Sequence, residues 1–155
     1  VISPRIACIS LWQPWASLLI QGPKIHETRS WAPPEALIGQ RFVIHAAKKA
    51  PGPRKSNVYV PLLLERLAYA RNVLPYAQPL GVALGTAVLV SAYPVEEHGP
   101  ENGDDRVCGD WSDGRWAWRF DDRRAFEKPV PIRGRQRIWY EPLEGELARA
   151  IEAAA

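Results

Sequence analysis

The stretch Ser10–Trp31, SLWQPWASLLIQGPKIHETRSW, leaves the chain little conformational choice and constrains whatever is built around it. Pro14 has no backbone N–H and a fixed φ, which suits the first position of a helix and damages any later one, so a helix is expected to start near Gln13. Gly22 supplies its stop. Trp15, Leu18 and Leu19 share one face of that short helix, which predicts a half-buried element with Ala16, Ser17 and the Gln13 end left for other uses. After the glycine the period changes to two. Ile25, Glu27, Arg29 and Trp31 fall on one side and His26, Thr28 and Ser30 on the other, with Lys24 at the mouth of the expected strand. A carboxylate and a guanidinium on one pleat face, beside an ammonium and an indole, form a compact polar cluster suited to a planar polar ligand.

The net charge of +3 conceals a separation: residues 1–57 carry a net +6 and residues 94–114 a net −6. A basic face of this kind attracts phosphates and steers polyanions, while the bland reading is a solvated surface offset by an acidic loop. The 155 residues, 46% hydrophobic with seven Trp, suffice for the core of one domain, 1–155. The longest apolar run, Val82–Val90, is too short and glycine-broken to span a bilayer, and the first residues do not read as a signal segment, so the expectation is a cytoplasmic chain with no membrane partner. Cys8 and Cys108 have no metal-ligand spacing and read as free thiols; no metal and no cofactor is expected.

Ile6–Ile9 and Phe42–Ala46 read as buried strands. His45 ends the second of these, where a hydrogen-bonded interior histidine is the rival to a functional one. Lys48, Lys49, Arg54 and Lys55 place four cations in eight residues, a mobile solubilising loop or a phosphate contact. Pro61–Asn72 reads as an amphipathic packing helix, and Val82–Ala92 as a core strand bending at Gly85. Val95–Gly114 reads as a surface loop whose acids balance charge. Trp116, Trp118 and Phe120 alternate as the aromatic face of a strand. Val130–Tyr140 reads as the final strand pair or bend, broken at Gly134, with Arg133, Arg135 and Arg137 alternating on one side, a comb that could track a phosphate backbone. Leu143–Ala155 reads as a terminal helix.

The segment Gly22-Pro23-Lys24-Ile25-His26-Glu27-Thr28-Arg29, preceded by Ser10-Leu11-Trp12-Gln13-Pro14-Trp15-Ala16, resembles the G-x-K-x-x-E-x-R signature and S-L-x-Q-P-W-A opening of the ASCH domain, a branch of the PUA-like superfamily. Phe42–Lys49 resembles the family's second core strand and basic loop, and Trp116-Ala117-Trp118 and Pro131–Gln136 resemble its closing strands. The resemblance implies an α+β fold, a small closed PUA-like β-barrel with flanking α-helices. It also implies a cleft that takes RNA, nucleotides or modified nucleosides.

On that basis the expected function is binding of RNA, single-stranded nucleic acid or a modified nucleotide between the first helix and the barrel. Trp12, Gln13, Trp15, Lys24, Glu27, Arg29 and Trp31 would line the cleft, with His45, Lys48, Lys49, Arg54 and Lys55 extending it toward phosphates. The alternative is a nucleic-acid or nucleoside hydrolase with Lys24 and Glu27 as catalytic pair. Some relatives resemble amidohydrolases of acylated cytidine nucleosides; their lysine matches Lys24, whereas their threonine falls on Glu27 and their glutamate near Val88. Others resemble metal-dependent ribonucleases, for which Lys24, Glu27, His45 and Lys48 correspond. A third reading is an interaction module of a larger complex. The bland reading of Glu27 and Arg29 is an ion pair closing the barrel mouth.

Overall fold

The computed structural model describes residues 4–49 and 79–155. Arg54, Lys55 and the helix expected over Pro61–Asn72 lie outside the described residues. In chain order the elements are β1 (Arg5–Leu11), α1 (Trp15–Gln21), β2 (His26–Arg29), a 3-10 turn (Glu35–Leu37), β3 (Arg41–Ala46), β4 (Val82–Pro94), α2 (Gly103–Val107), β5 (Trp116–Pro131), β6 (Ile138–Pro142) and α3 (Gly145–Ala153). No helix among the described residues is long and apolar enough to cross a membrane.

β1 shows little polar alternation because both of its faces are covered. Ala7, Ile9 and Leu11 face one core with Phe42, Ile44, Trp118, Phe120 and the α1 residues Ala16, Leu19 and Ile20. Ile6 and Cys8 face the other, with Val43, Phe126, Val130, Trp139 and Leu147 of α3. Each buried Leu, Ile or Phe contributes roughly 1.5–3 kcal/mol, and here the contributions are split across a sheet sandwiched between helices. Helix α1 is more buried than its one apolar face predicts: Ala16 to Ile20 are all buried. The sheet takes one side, while Cys108, next to α2, packs with Leu18 on the other. α1 starts at Trp15 with Pro14 as its N-cap, one position outside the first helical place expected for the proline, and Gly22 caps its end with φ +112°, the stop the sequence predicts.

The strands form one six-stranded sheet in the order β2-β5-β4-β3-β1-β6, with β1 and β3 parallel and the other neighbours antiparallel. The α+β class stands, but the expected closed barrel does not form: β2 and β6 are the two edges and share no ladder. The reason lies in register. β6 pairs with β1 only from Arg5 to Ile9, so Ser10 and Leu11 run past its start. Leu11 O accepts from Ala47 N on the β3 side, which turns Ser10 O toward the unpaired side, where Arg29 Nη2 of β2 donates to it at 2.9 Å. A side chain thus bridges the seam where a backbone ladder would close a barrel. The seam is also spanned by the Arg137 guanidinium, 3.9 Å over the Trp31 ring.

One expected strand is longer than its pattern. The Trp116–Phe120 aromatic strand is the start of the 16-residue β5, whose pairing with β4 slips in register near Gly85. A Cβ on Gly85 would lie 2.4 Å from Arg124 O, so only glycine lets the two strands approach there. Of Val130–Tyr140, read as a strand pair or bend broken at Gly134, Val130 and Pro131 end β5, Ile138–Tyr140 start β6, and residues 132–137 between them form a loop, with Arg137 at φ +59°, so the arginines do not alternate along a strand.

Candidate nucleic-acid interface

The open seam holds a cleft of about 930 Å³. Ser10 and Arg29 form part of its floor, beside His45 at the end of β3. Lys48 and Lys49 come from the chain just after β3, Leu80 and Gly81 from the approach to β4, and Arg133, Arg135, Gln136 and Arg137 from the loop before β6. Trp12 stands at the lip, 36% exposed. Six cationic side chains line the cleft and no carboxylate does so among the described residues. Lys48, Lys49, Arg133 and Arg135 are exposed and form no ion pair among the described residues. Such a surface is a standing positive potential in a concavity, where field lines concentrate.

The residues expected in the site separate into two groups. Trp12, Arg29, His45, Lys48 and Lys49 meet in the cleft. Gln13, Trp15, Lys24, Glu27 and Trp31 do not line it. Gln13 is buried and works as a cap for α1: its Oε1 accepts from Ser17 N at 3.0 Å, and its Nε2 donates to Ser17 Oγ at 2.8 Å and Pro79 O at 3.0 Å. Trp31 packs edge-on against Trp118, with ring centroids 4.8 Å apart, and Trp15 packs against the core.

Lys24 is 1% exposed. Its Nζ donates to Cys108 O at 2.6 Å and pairs with Glu27 Oε1 at 3.1 Å, with the Trp15 ring 5.8 Å away. Glu27 Oε2 in turn accepts from Arg29 Nε at 3.0 Å and pairs with its Nη2 at 2.9 Å. Burial works against the Glu27 charge, but Lys24 and Arg29 outweigh it and hold the carboxyl below its ordinary range. The alternating polar face thus forms a Lys–Glu–Arg chain running from the α1–α2 layer to the seam. Only its Arg29 end reaches the cleft, and Glu27, clamped between two cations, is a weak base.

His45 is fully buried at the cleft floor. Its Nε2 lies 3.0 Å from Ile132 O and its Nδ1 3.0 Å from Ser10 Oγ. The ring stands edge-on to Trp139 at 5.6 Å, and a Cβ on Gly134 would lie 2.6 Å from its Cε1, so glycine lets the arginine loop lie on the imidazole. Burial holds the His45 pKa below the ordinary value, opposed by the Ile132 carbonyl. Ser10 and His45 are register partners of the parallel β1–β3 ladder, so their side chains share a face. No sequence spacing announces that pairing.

A second polar cluster was not legible in the sequence at all. The acidic segment is not only a charge balance, because Asp105 of α2 is fully buried. Its Oδ1 accepts from Ile25 N at 2.8 Å and His26 N at 2.9 Å, and its Oδ2 from Glu101 N at 2.9 Å and His26 Nδ1 at 2.7 Å. Asn102 Oδ1 accepts from Asp105 N at 2.9 Å and starts the helix. Burial raises the Asp105 pKa, but these bonds win and hold it at about 2. His26 Nε2 meets Tyr93 OH, which ties β2, β4 and α2 together. Cys8 and Cys108 are free and buried, and burial pushes their thiols up to about 12 and about 11.

Comparison with known proteins gives consistent results. A family model described as the ASCH domain matches residues 9–130, so the arginine loop lies just past the matched span. Activating signal cointegrator 1 of Homo sapiens is 29% identical over 133 residues, covering 85% of this chain and 22% of its own length. The Mus musculus protein of the same name is 30% identical over the same length, with the same coverage. The chain therefore spans about a fifth of the length of these curated relatives. Among solved structures, ASCH from Zymomonas mobilis is similar with a TM-score of 0.56 and 16% identity, covering 95% of this chain and 93% of that one. A mutant form of the same protein gives a TM-score of 0.50 at 17% identity, covering 92% and 91%. At these identities the structures show a shared fold.

Proposed function

Because the chain belongs to the ASCH domain family, we propose that it binds RNA or single-stranded nucleic acid through the cleft at the open seam of its sheet. Strand phosphates rest on Lys48, Lys49, Arg133 and Arg135, and a base stacks on Trp12. The observation that carries this reading is the lining itself: among the described residues, six cations, no carboxylate, and an indole and Leu80 at the lip. Stacking one base contributes roughly 1–3 kcal/mol, and phosphate contacts add a salt-dependent part. An indole beside exposed cations is a combination that tolerates any base and favours an accessible strand over a closed duplex.

The hydrolytic reading has less support. Lys24 is buried against Cys108 O and Glu27 is held as a carboxylate by two cations, so neither is poised to attack a ligand or to take its proton. We assign no reaction to this pair.

The reading is tested by titrating fluorescent single-stranded RNA and DNA at two salt concentrations while following intrinsic Trp emission. Salt-sensitive binding with quenching, weakened in Trp12→Ala and in Lys48→Ala/Lys49→Ala, is expected. Binding of neither polymer by the folded protein would refute it.

A further inference from the structure

The cleft presents donors almost everywhere: ammonium and guanidinium groups have no acceptor lone pairs. The exposed Gln136 amide and the Ser10 hydroxyl are the lining side chains that can also accept, and at Ser10 the polarity is set by the residue behind it. Ile132 O can only accept, so the His45 nitrogen 3.0 Å from it, Nε2, carries the proton. In the neutral imidazole Nδ1 is then bare and can only accept. Its partner at 3.0 Å is Ser10 Oγ, which must therefore spend its single proton on His45 and turn its oxygen lone pairs outward. Burial of the ring favours this neutral form. Ser10 itself is only partly buried and lines the cleft.

We propose that Ser10 Oγ is a fixed hydrogen-bond acceptor at the floor of the cationic cleft and takes a donor group, hydroxyl or amino, of the bound nucleotide. His45 is its positioning residue. The inference rests on the nucleic-acid reading above and adds which part of the ligand is discriminated. The phosphates meet the exposed cations whatever the strand, whereas Ser10 separates ligands that bring a donor from ligands that do not. Two groups satisfy that chemistry, the ribose 2′-hydroxyl and the exocyclic amine of a base. The same pair does not make a convincing nucleophile, because the group orienting His45 is a neutral carbonyl and the Glu141 charge does not offset the burial that disfavours an imidazolium.

The test uses four labelled decamers at one salt concentration: oligo-rU, oligo-dU, oligo-rC and oligo-dC. If the 2′-hydroxyl is the donor, wild type prefers rU over dU; if the amine is, it prefers dC over dU. A single neutral hydrogen bond sets the expected preference at roughly two- to tenfold. Ser10→Ala abolishes the preference while leaving residual phosphate-driven binding to all four. His45→Asn, which keeps an acceptor oxygen near the Nδ1 position, retains the preference, and His45→Ala, which frees the hydroxyl to rotate, loses it. Thermal melts confirm that each variant is folded; should the buried His45 variants fail to fold, Ser10→Ala decides alone. Equal weakening of all four ligands by Ser10→Ala, or no change, overturns the inference while the nucleic-acid reading stands. Strand cleavage that disappears in Ser10→Ala overturns it in favour of a nucleophilic serine. Failure of wild type to bind any of the four refutes the nucleic-acid reading and this inference with it.

Discussion

Replacing Lys48 and Lys49 together by alanine should halve the salt dependence of binding, and the size of the effect follows from the cleft. Four of its cations, Lys48, Lys49, Arg133 and Arg135, are exposed and unpaired among the described residues; Arg29 is held by Glu27, and Arg137 lies over Trp31. Each phosphate neutralised on a single strand contributes about −0.7 to the slope of log affinity against log salt, so four give about −2.8. Between 50 and 200 mM salt the wild-type affinity should then fall about 50-fold. With two cations left, the slope becomes about −1.4 and the fall about sevenfold. Arg149, in the groove between β5 and α3, is the control, and Arg149→Ala should leave the slope unchanged. The assay is fluorescence anisotropy of a labelled single-stranded decamer across a salt series. A wild-type slope shallower than about −1, or an unchanged slope in the double variant, would refute the counterion argument.

Lys24→Ala strands Glu27 with Arg29 as its remaining partner in a buried pocket, and should destabilise the protein by about 3 kcal/mol in urea unfolding. Affinity per folded molecule should stay near wild type, and selective loss of binding at full stability would contradict the structural role. Asp105, with its pKa lowered from 3.8 to about 2, contributes about 2 kcal/mol of stability that is fully present well above pH 4 and lost as pH falls through about 2. About half of it should be gone at pH 3. The urea midpoint should therefore drop between pH 6 and pH 3 by more in wild type than in Asp105→Asn, and equal drops would count against the linkage. Gly134→Ala must move either the arginine loop or His45 to relieve the 2.6 Å approach. It should cost about 1–3 kcal/mol if the loop stays, or weaken ligand binding if it lifts; a variant identical to wild type in both would show the contact to be slack.

The parts of the fold that were legible are those set by neighbours in sequence. The Pro14 and Gly22 limits of α1 follow from backbone chemistry alone, as does the period-two pattern of β2. The buried aromatic face of Trp118 and Phe120 was readable for the same reason. The charge separation pointed to the basic side of the molecule, and Lys48 and Lys49 do line the cleft. Illegible were the contacts joining residues far apart: Lys24 with Cys108, Asp105 with His26, and Ser10 with His45. The Lys24, Glu27 and Arg29 spacing predicted one cluster, and one cluster forms, but a strand pattern states which side chains share a face and not whether that face meets solvent or a helix.

By itself, then, the sequence determined the family signature, the limits of α1, the two faces of β2 and an excess of cations in its first third, because each depends on local stereochemistry or on composition. The tertiary structure alone decided that the sheet stays open, since closure depends on where β6 stops along β1. It also decided that the arginines of 132–137 fall into that seam as a loop rather than beside it as a strand. Register, a relation between distant segments, chooses which charges are buried with partners and which are left facing a ligand.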